Sequence, residues 1–125
     1  METEKIISDV INMPAKYNEL GNITYYSLLR NAGYFEVHDQ INEDKILEQL
    51  IKHPEWVKQW IQYSEDKRTA SGWYFLQDTD GKYIVEYYPP QQKFKTLKFF
   101  DIKEACAVFI KIEIERERTL YAPPG

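Results

Sequence analysis

Histidine and cysteine, the residues that supply nitrogen and sulfur ligands to metals and often act as base and nucleophile, are scarce in this chain of 125 residues. They are His38, His53 and Cys106. Their spacing does not match a zinc site, and no local motif pairs the thiol with a histidine base. A histidine pair acting on a phosphate would need nearby positive charge, whereas the sequence around both histidines is acidic. The sequence therefore predicts no metal, no cofactor and no catalytic site. A small enzyme using His38 or His53 is the third interpretation of the chain.

Paired carboxylates could serve acid–base chemistry or bind calcium, but these pairs have simpler structural roles. Asp78 and Asp80 lie in the sequence DTDG, where such side chains favour a tight turn. This sequence lacks the later oxygen ligands and the terminal glutamate of a calcium loop. Glu43 and Asp44 follow Asn42 at the expected start of a helix, where the helix dipole favours negative charge.

The densest charge on the chain lies between Glu36 and Glu55. This stretch holds six carboxylates against two lysines, and the chain has a net charge of −4. It opposes direct binding to nucleic acid, because phosphate attraction requires a basic surface. One interpretation is a solvated face with carboxylates at a helix start. The other is a docking surface complementary to a basic protein.

Hydrophobic spacing predicts four or five helices. The first should end before Pro14, and the sequence KYNELGNI after it is interpreted as a loop. Asn42 is the expected N-cap of a helix that Pro54 ends. The last helix follows Asp101, in an arrangement close to a capping box.

The stretch SGWYFLQDTDGKYIVEYYPP predicts a β-hairpin, and KFKTLKFF predicts a third strand. The fold class is therefore α+β: a three-stranded antiparallel meander packed with a C-terminal helix and N-terminal helices in one domain, residues 1–125. The C-terminal helix should pack on the sheet through Cys106 and Phe109. Because apolar residues point to both faces, the N-terminal helices are expected to cover the second face. Alternatively, that face is only partly covered and presents aromatic residues, Tyr74, Tyr83 and Tyr87, to a partner.

The sequence also predicts a cytoplasmic protein that does not contact membranes. No apolar run reaches the roughly 20 residues that span a bilayer. The N-terminal sequence lacks the features of a secretory signal, and the single cysteine cannot form an internal disulfide.

Two sequences in the C-terminal half carry a family resemblance: SGWYFLQDTDGKYIVEYY, followed by FFDIKEACAVFIKIEIE. The order is a tryptophan-led hairpin, a strand and then a capped helix with an alanine–cysteine pair. With it the chain resembles the small cytosolic immunity proteins of bacterial polymorphic toxin systems, including those of contact-dependent growth inhibition. This resemblance implies inhibition without catalysis: the protein would bind a cognate toxin C-terminal domain and block its active site or an essential surface.

Many such toxins are nucleases with basic active sites, so an acidic inhibitor face would suit them. From charge density, the expected partner-binding residues are five carboxylates and two adjacent aromatic anchors: Glu36, Asp39, Glu43, Asp44, Glu48, Tyr34 and Phe35. The alternative function is an adaptor or regulatory protein-interaction domain that has no toxin partner.

Overall fold

The computed structural model describes residues 2–67 and 70–120. Within these residues the chain forms seven α-helices and a three-stranded antiparallel sheet, which confirms the α+β prediction. The helices are α1 (Glu2–Ile11), α2 (Met13–Leu20), α3 (Tyr25–Ala32), α4 (Tyr34–Val37), α5 (Glu43–Lys52), α6 (Val57–Asp66) and α7 (Ile102–Leu120). The strands are β1 (Gly72–Gln77), β2 (Tyr83–Tyr88) and β3 (Leu97–Phe99), and short 3-10 helices span His38–Gln40 and Pro54–Trp56.

The C-terminal helix α7 packs on one face of the sheet, as predicted. The strand order is β1-β2-β3, with Phe75 opposite Val85 on the face that meets α7. The ring of Phe109 lies 5.8 Å from that of Phe75, and Phe109 and Cys106 are fully buried. Burying a side chain of this size contributes about 1.5–3 kcal/mol, so this contact fixes α7 against the hairpin.

The second face of the sheet is only partly covered, so the N-terminal helices do not sandwich it fully as predicted, although Tyr74 and Ile84 on this face are buried. These helices pack on α7 and on one another, with α5 lying along α7, and α6 also packs on β1. The reason is that α7 is buried on more than one side, so it forms the middle layer between the sheet and these helices. On the second face of the sheet, Leu76 and Tyr88 are 39% and 47% exposed.

The predicted loop KYNELGNI is wrong for residues 16–20, which belong to α2, whereas residues 21–23 lie outside the helices. Pro14 lies in the first turn of that helix, where its missing N–H would have no intrahelical partner. Gly21 ends α2 with a φ of 76°, and its N–H donates to the carbonyl of Tyr17. This additional helix and the short α4 bring the number of helices above the predicted four or five.

The third strand is shorter than expected. It spans Leu97–Phe99, whereas the sequence KFKTLKFF predicted residues 93–100. The ring of Phe94 instead packs against Tyr87, with 4.3 Å between ring centroids. The hairpin itself agrees with the prediction, since Gly81 adopts the positive φ of 87° that its turn requires.

Helix α5 supports the acidic part of the chain. Asn42 caps it as predicted, because its side-chain oxygen accepts a hydrogen bond from the N–H of Lys45 at 3.0 Å. Ile46 and Leu50 are fully buried, so α5 has one face fixed to the core and the opposite face in water.

None of the helices in residues 2–67 and 70–120 combines the length and the hydrophobicity required to cross a bilayer.

Candidate protein-binding surface

Residues 36–48, called the acidic segment below, run through α4, the 3-10 helix after it and the first half of α5. The five carboxylates predicted to bind a partner, Glu36, Asp39, Glu43, Asp44 and Glu48, are all exposed. In the described part of the chain, none of the five forms an ion pair or a side-chain hydrogen bond. Elsewhere, Asp78 and Asp101 are held by lysines within 3.2 Å. The acidic segment therefore presents negative charge that the fold itself does not neutralise.

The structure brings three of these carboxylates together on α5. Asp44 and Glu48 are one turn apart on its exposed side, and Glu43 lies in its first turn. Glu36 instead lines a groove of about 470 Å³ whose wall also includes Glu2 and Asp9 of α1. Lys5 also lines this groove and pairs with Asp9 at 3.0 Å, so the charge of the groove is mixed, a feature that sequence proximity alone did not reveal.

Tyr34 is not an exposed anchor, because its relative exposure is 0%. Its hydroxyl donates a hydrogen bond to Glu115 and accepts one from Lys111, and burial raises the pKa of this phenol. Phe35 is half-buried and packs against the ring of Tyr26, with 5.0 Å between ring centroids. Of the two predicted aromatic anchors, Phe35 therefore remains accessible in part.

A group of polar residues, called the α7 polar cluster below, fastens the acidic segment to the middle of α7. Its members are Tyr34, the carbonyl of His38, Lys111, Glu115 and Arg118. The Lys111 ammonium donates to the Tyr34 hydroxyl at 2.8 Å and to the His38 carbonyl at 2.9 Å. Burial lowers the pKa of Lys111, although the charge of Glu115 opposes this shift.

Glu115 is the negative centre of the α7 polar cluster. Burial alone would raise its pKa, but hydrogen bonds from Arg118 and Tyr34 and the charge of Lys111 lower the pKa to about 2. Arg118 contributes two of these bonds, at 3.0 and 2.9 Å. The sequence analysis missed this cluster. Its local signals are the spacings of Lys111, Glu115 and Arg118, which are four and three residues apart on one helix.

A second, more deeply buried polar group joins α6, β1 and α7. Glu113 is only 5% exposed and accepts hydrogen bonds from Lys67 and from the Tyr63 hydroxyl. Lys67 also donates to the carbonyl of Trp73 at 2.6 Å. Its ammonium lies 5.3 Å from the ring centroids of Tyr63 and Phe109. Burial lowers the pKa of Lys67, against the attraction of Glu113. Because aromatic rings enclose this ion pair, its role is to hold three elements together.

Of the residues considered for catalysis, His53 and Cys106 lie apart from such networks, whereas the backbone carbonyl of His38 belongs to the α7 polar cluster and its ring lies 6.4 Å from that of Tyr34. The ring of His53 stacks on Trp56, with 4.0 Å between centroids, and its Nδ1 is 3.6 Å from Glu55. Cys106 is fully buried, and burial raises the pKa of its thiol, which disfavours the reactive thiolate. Over the described ranges, no group of three histidine, cysteine or acidic side chains is placed to hold a metal ion.

The hairpin tyrosines do not form one exposed aromatic surface. Tyr74 points to the opposite face of the sheet from Tyr83 and Tyr87, because neighbouring positions along a strand alternate. Tyr74 is also buried, whereas Tyr83 and Tyr87 are half-buried. Tyr87 packs edge-on against Trp73, with 5.7 Å between centroids. The acidic segment is therefore the better candidate for a partner surface.

Comparison of the chain with protein-family models, curated proteins and solved structures finds no match.

Proposed function

We propose that this chain is an immunity protein that binds and neutralises a cognate bacterial toxin domain. It acts by covering the active site or an essential surface of the toxin, without catalysis of its own. The observation that supports this most is the acidic segment: five exposed carboxylates that form no ion pair within residues 2–67 and 70–120.

These exposed charges can contribute more to binding than to stability. Exposed charges contribute little to stability, and like charges placed close together repel one another. A basic partner removes that repulsion and gains attraction, so complementary charge accelerates encounter and disfavours partners of the wrong sign. The natural partner of the acidic segment is therefore a protein with a basic surface.

A nuclease toxin fits this requirement. Its active site must attract phosphates, and carboxylates arranged along α5 can take the place of those phosphates. Glu43, Asp44 and Glu48 would face the basic site, with Phe35 at the margin as an apolar contact. In this proposal the protein works in the bacterial cytoplasm on the toxin directly and does not need to contact nucleic acid or a membrane.

The test begins with the neighbouring genes. We expect a gene for a large secreted protein with a variable C-terminal domain directly upstream. Co-expression of that C-terminal domain with this chain should protect the cells and yield a complex that survives gel filtration. A C-terminal domain from an unrelated toxin system serves as the control and should remain toxic. Cells that die equally with and without this chain, together with the absence of a complex, would refute the proposal.

A further inference from the structure

Within the α7 polar cluster, Lys111 is the side chain that donates hydrogen bonds both to α4 and to the 3-10 helix that follows it. We infer that Lys111 is a positioning residue, which holds the acidic segment in the arrangement that binds its partner. This inference rests on the proposed function, but its first test is made on the free protein.

The geometry leaves Lys111 little capacity for any other role. Its side chain is 16% exposed, and an ammonium has three hydrogens to donate. One goes to the hydroxyl of Tyr34 in α4 and one to the carbonyl of His38 in the following 3-10 helix, at 2.8 and 2.9 Å. The carboxylate of Glu115 lies 3.8 Å from the same nitrogen and balances its charge.

Residues 34–40 need this support because the two short helices that they form are not stable on their own. Helix α4 has only four residues, and neither α4 nor the 3-10 helix at His38–Gln40 has a side-chain cap. Isolated helices of this length are unstable in water, since nucleation costs more than a few hydrogen bonds return. Tyr34 and Ile41 are buried at the two ends of this stretch, and Lys111 fixes the turns between them, which carry Glu36 and Asp39.

Charge and position make opposite predictions for the loss of Lys111. The charge of Glu43 acts on Lys111 and opposes the lowering of its pKa, so this cation lies close to the acidic surface. If only net charge mattered, removing a positive charge here would strengthen binding to a basic partner. If Lys111 positions the segment, the same change weakens binding.

The first arm of the test is amide hydrogen exchange on free Lys111→Met, whose unbranched chain retains most of the packing. Charge-assisted hydrogen bonds are strong enough that exchange in residues 34–41 should become about tenfold faster or more, with β1 and β2 unchanged. Lys103→Met is the matched control. Lys103 also lies on α7, but its ammonium pairs with Asp101, at 3.2 Å, and not with residues 34–41. Tyr34→Phe removes one of the two bonds that Lys111 donates to this segment, together with the bond from Tyr34 to Glu115, and it should give a smaller local increase because the bond to His38 remains. Unchanged exchange at 34–41, or a uniform increase over the whole chain, would overturn the inference.

The second arm measures the association rate with the upstream-encoded toxin domain. Lys111→Met should lower this rate severalfold, whereas Lys103→Met should leave it the same or slightly higher. A rate that rises in Lys111→Met would show that Lys111 acts only through its charge and would also overturn the inference. If the toxin domain does not bind the wild-type chain, the proposed function fails, and the exchange arm still decides whether Lys111 positions the segment.

Discussion

Two sets of carboxylates in this molecule differ in their surroundings: one is buried and paired, and the other is exposed and unpaired within the described residues. Glu113 on α7 is buried and accepts hydrogen bonds from Lys67 and Tyr63. Asp44 and Glu48 on α5 are exposed and have no ion-pair partner in the described residues. One of the two oxygens of Glu113, Oε2, is buried without a hydrogen-bond partner there, so even this network is not fully satisfied.

In our proposal, this difference separates charge that serves the fold from charge that serves binding. A buried carboxylate must be paired, because the loss of its hydration costs free energy. Removing its partner leaves that desolvation cost without compensation and destabilises the fold. An exposed carboxylate stays hydrated and can be removed at little cost. Substitutions at α7 should therefore change stability, and substitutions in the acidic segment should change binding.

The largest effect is expected for Glu113→Ala. This change leaves the Lys67 ammonium among Tyr63 and Phe109 without its carboxylate, which should cost about 3–5 kcal/mol in the free energy of unfolding. Urea denaturation gives the measurement. The double variant Lys67→Met, Glu113→Leu is the control and should recover most of the loss, because it removes both charges. A loss below about 1 kcal/mol in Glu113→Ala would mean that the buried ion pair does not hold the three elements together.

An intermediate effect is expected from acid acting on Glu115. Its pKa in the folded protein is about 2, whereas a free glutamate titrates near ~4.3. A carboxyl group whose pKa is lowered by folding stabilises the protein above the unfolded pKa, and that contribution disappears as the pH falls toward 2. Because the side chain is 31% exposed, solvent screening reduces the contribution to on the order of 1–2 kcal/mol. Unfolding measured from pH 6 to pH 2 should show a steeper loss of stability in the wild type than in Glu115→Gln. Parallel curves for the two proteins would contradict this role.

How far the sequence predicted these features depends on whether the responsible interactions are local. The N-cap at Asn42, the turn at Gly81 and the packing face of α7 were predicted because neighbouring residues determine them. The burial of Glu113 was not predicted, because distant parts of the chain enclose it. Its partner Lys67 is 46 residues away, and no spacing rule identifies such a pair.

The errors have the same origin. Tyr34 was taken as a surface anchor because it adjoins the acidic residues, but a contact with Glu115, 81 residues away, places it in the core. The second face of the sheet was assigned to the N-terminal helices because strand alternation shows which residues share a face but does not show what covers it. The first helix ends before Pro14, as predicted, but the helix that follows was missed because proline is also suited to the first turn of a helix.

The smallest effect on stability is expected from reversing charge in the acidic segment. The triple variant Asp39→Lys, Asp44→Lys, Glu48→Lys should lose about 1 kcal/mol or less, mainly because Asp44 lies in the first turn of α5. Thermal and urea unfolding measure this loss. The matched control is Glu19→Lys, Glu65→Lys, Glu104→Lys, which changes the net charge equally at exposed positions and also includes a first-turn carboxylate. A loss above about 3 kcal/mol in the first triple variant alone would assign the acidic segment to the fold.

The central claim is that the acidic segment is the surface that captures the toxin, and association kinetics test it most directly. The measurement compares the wild type with the two triple variants above against the upstream-encoded toxin domain, at low and at physiological salt. We expect the acidic-segment variant to associate at least tenfold more slowly at low salt, with a smaller difference at higher salt, because salt screens exposed charges. The control variant, whose net charge is the same, should lose much less. Equal association rates for the two triple variants, or a rate that does not respond to salt, would contradict the account.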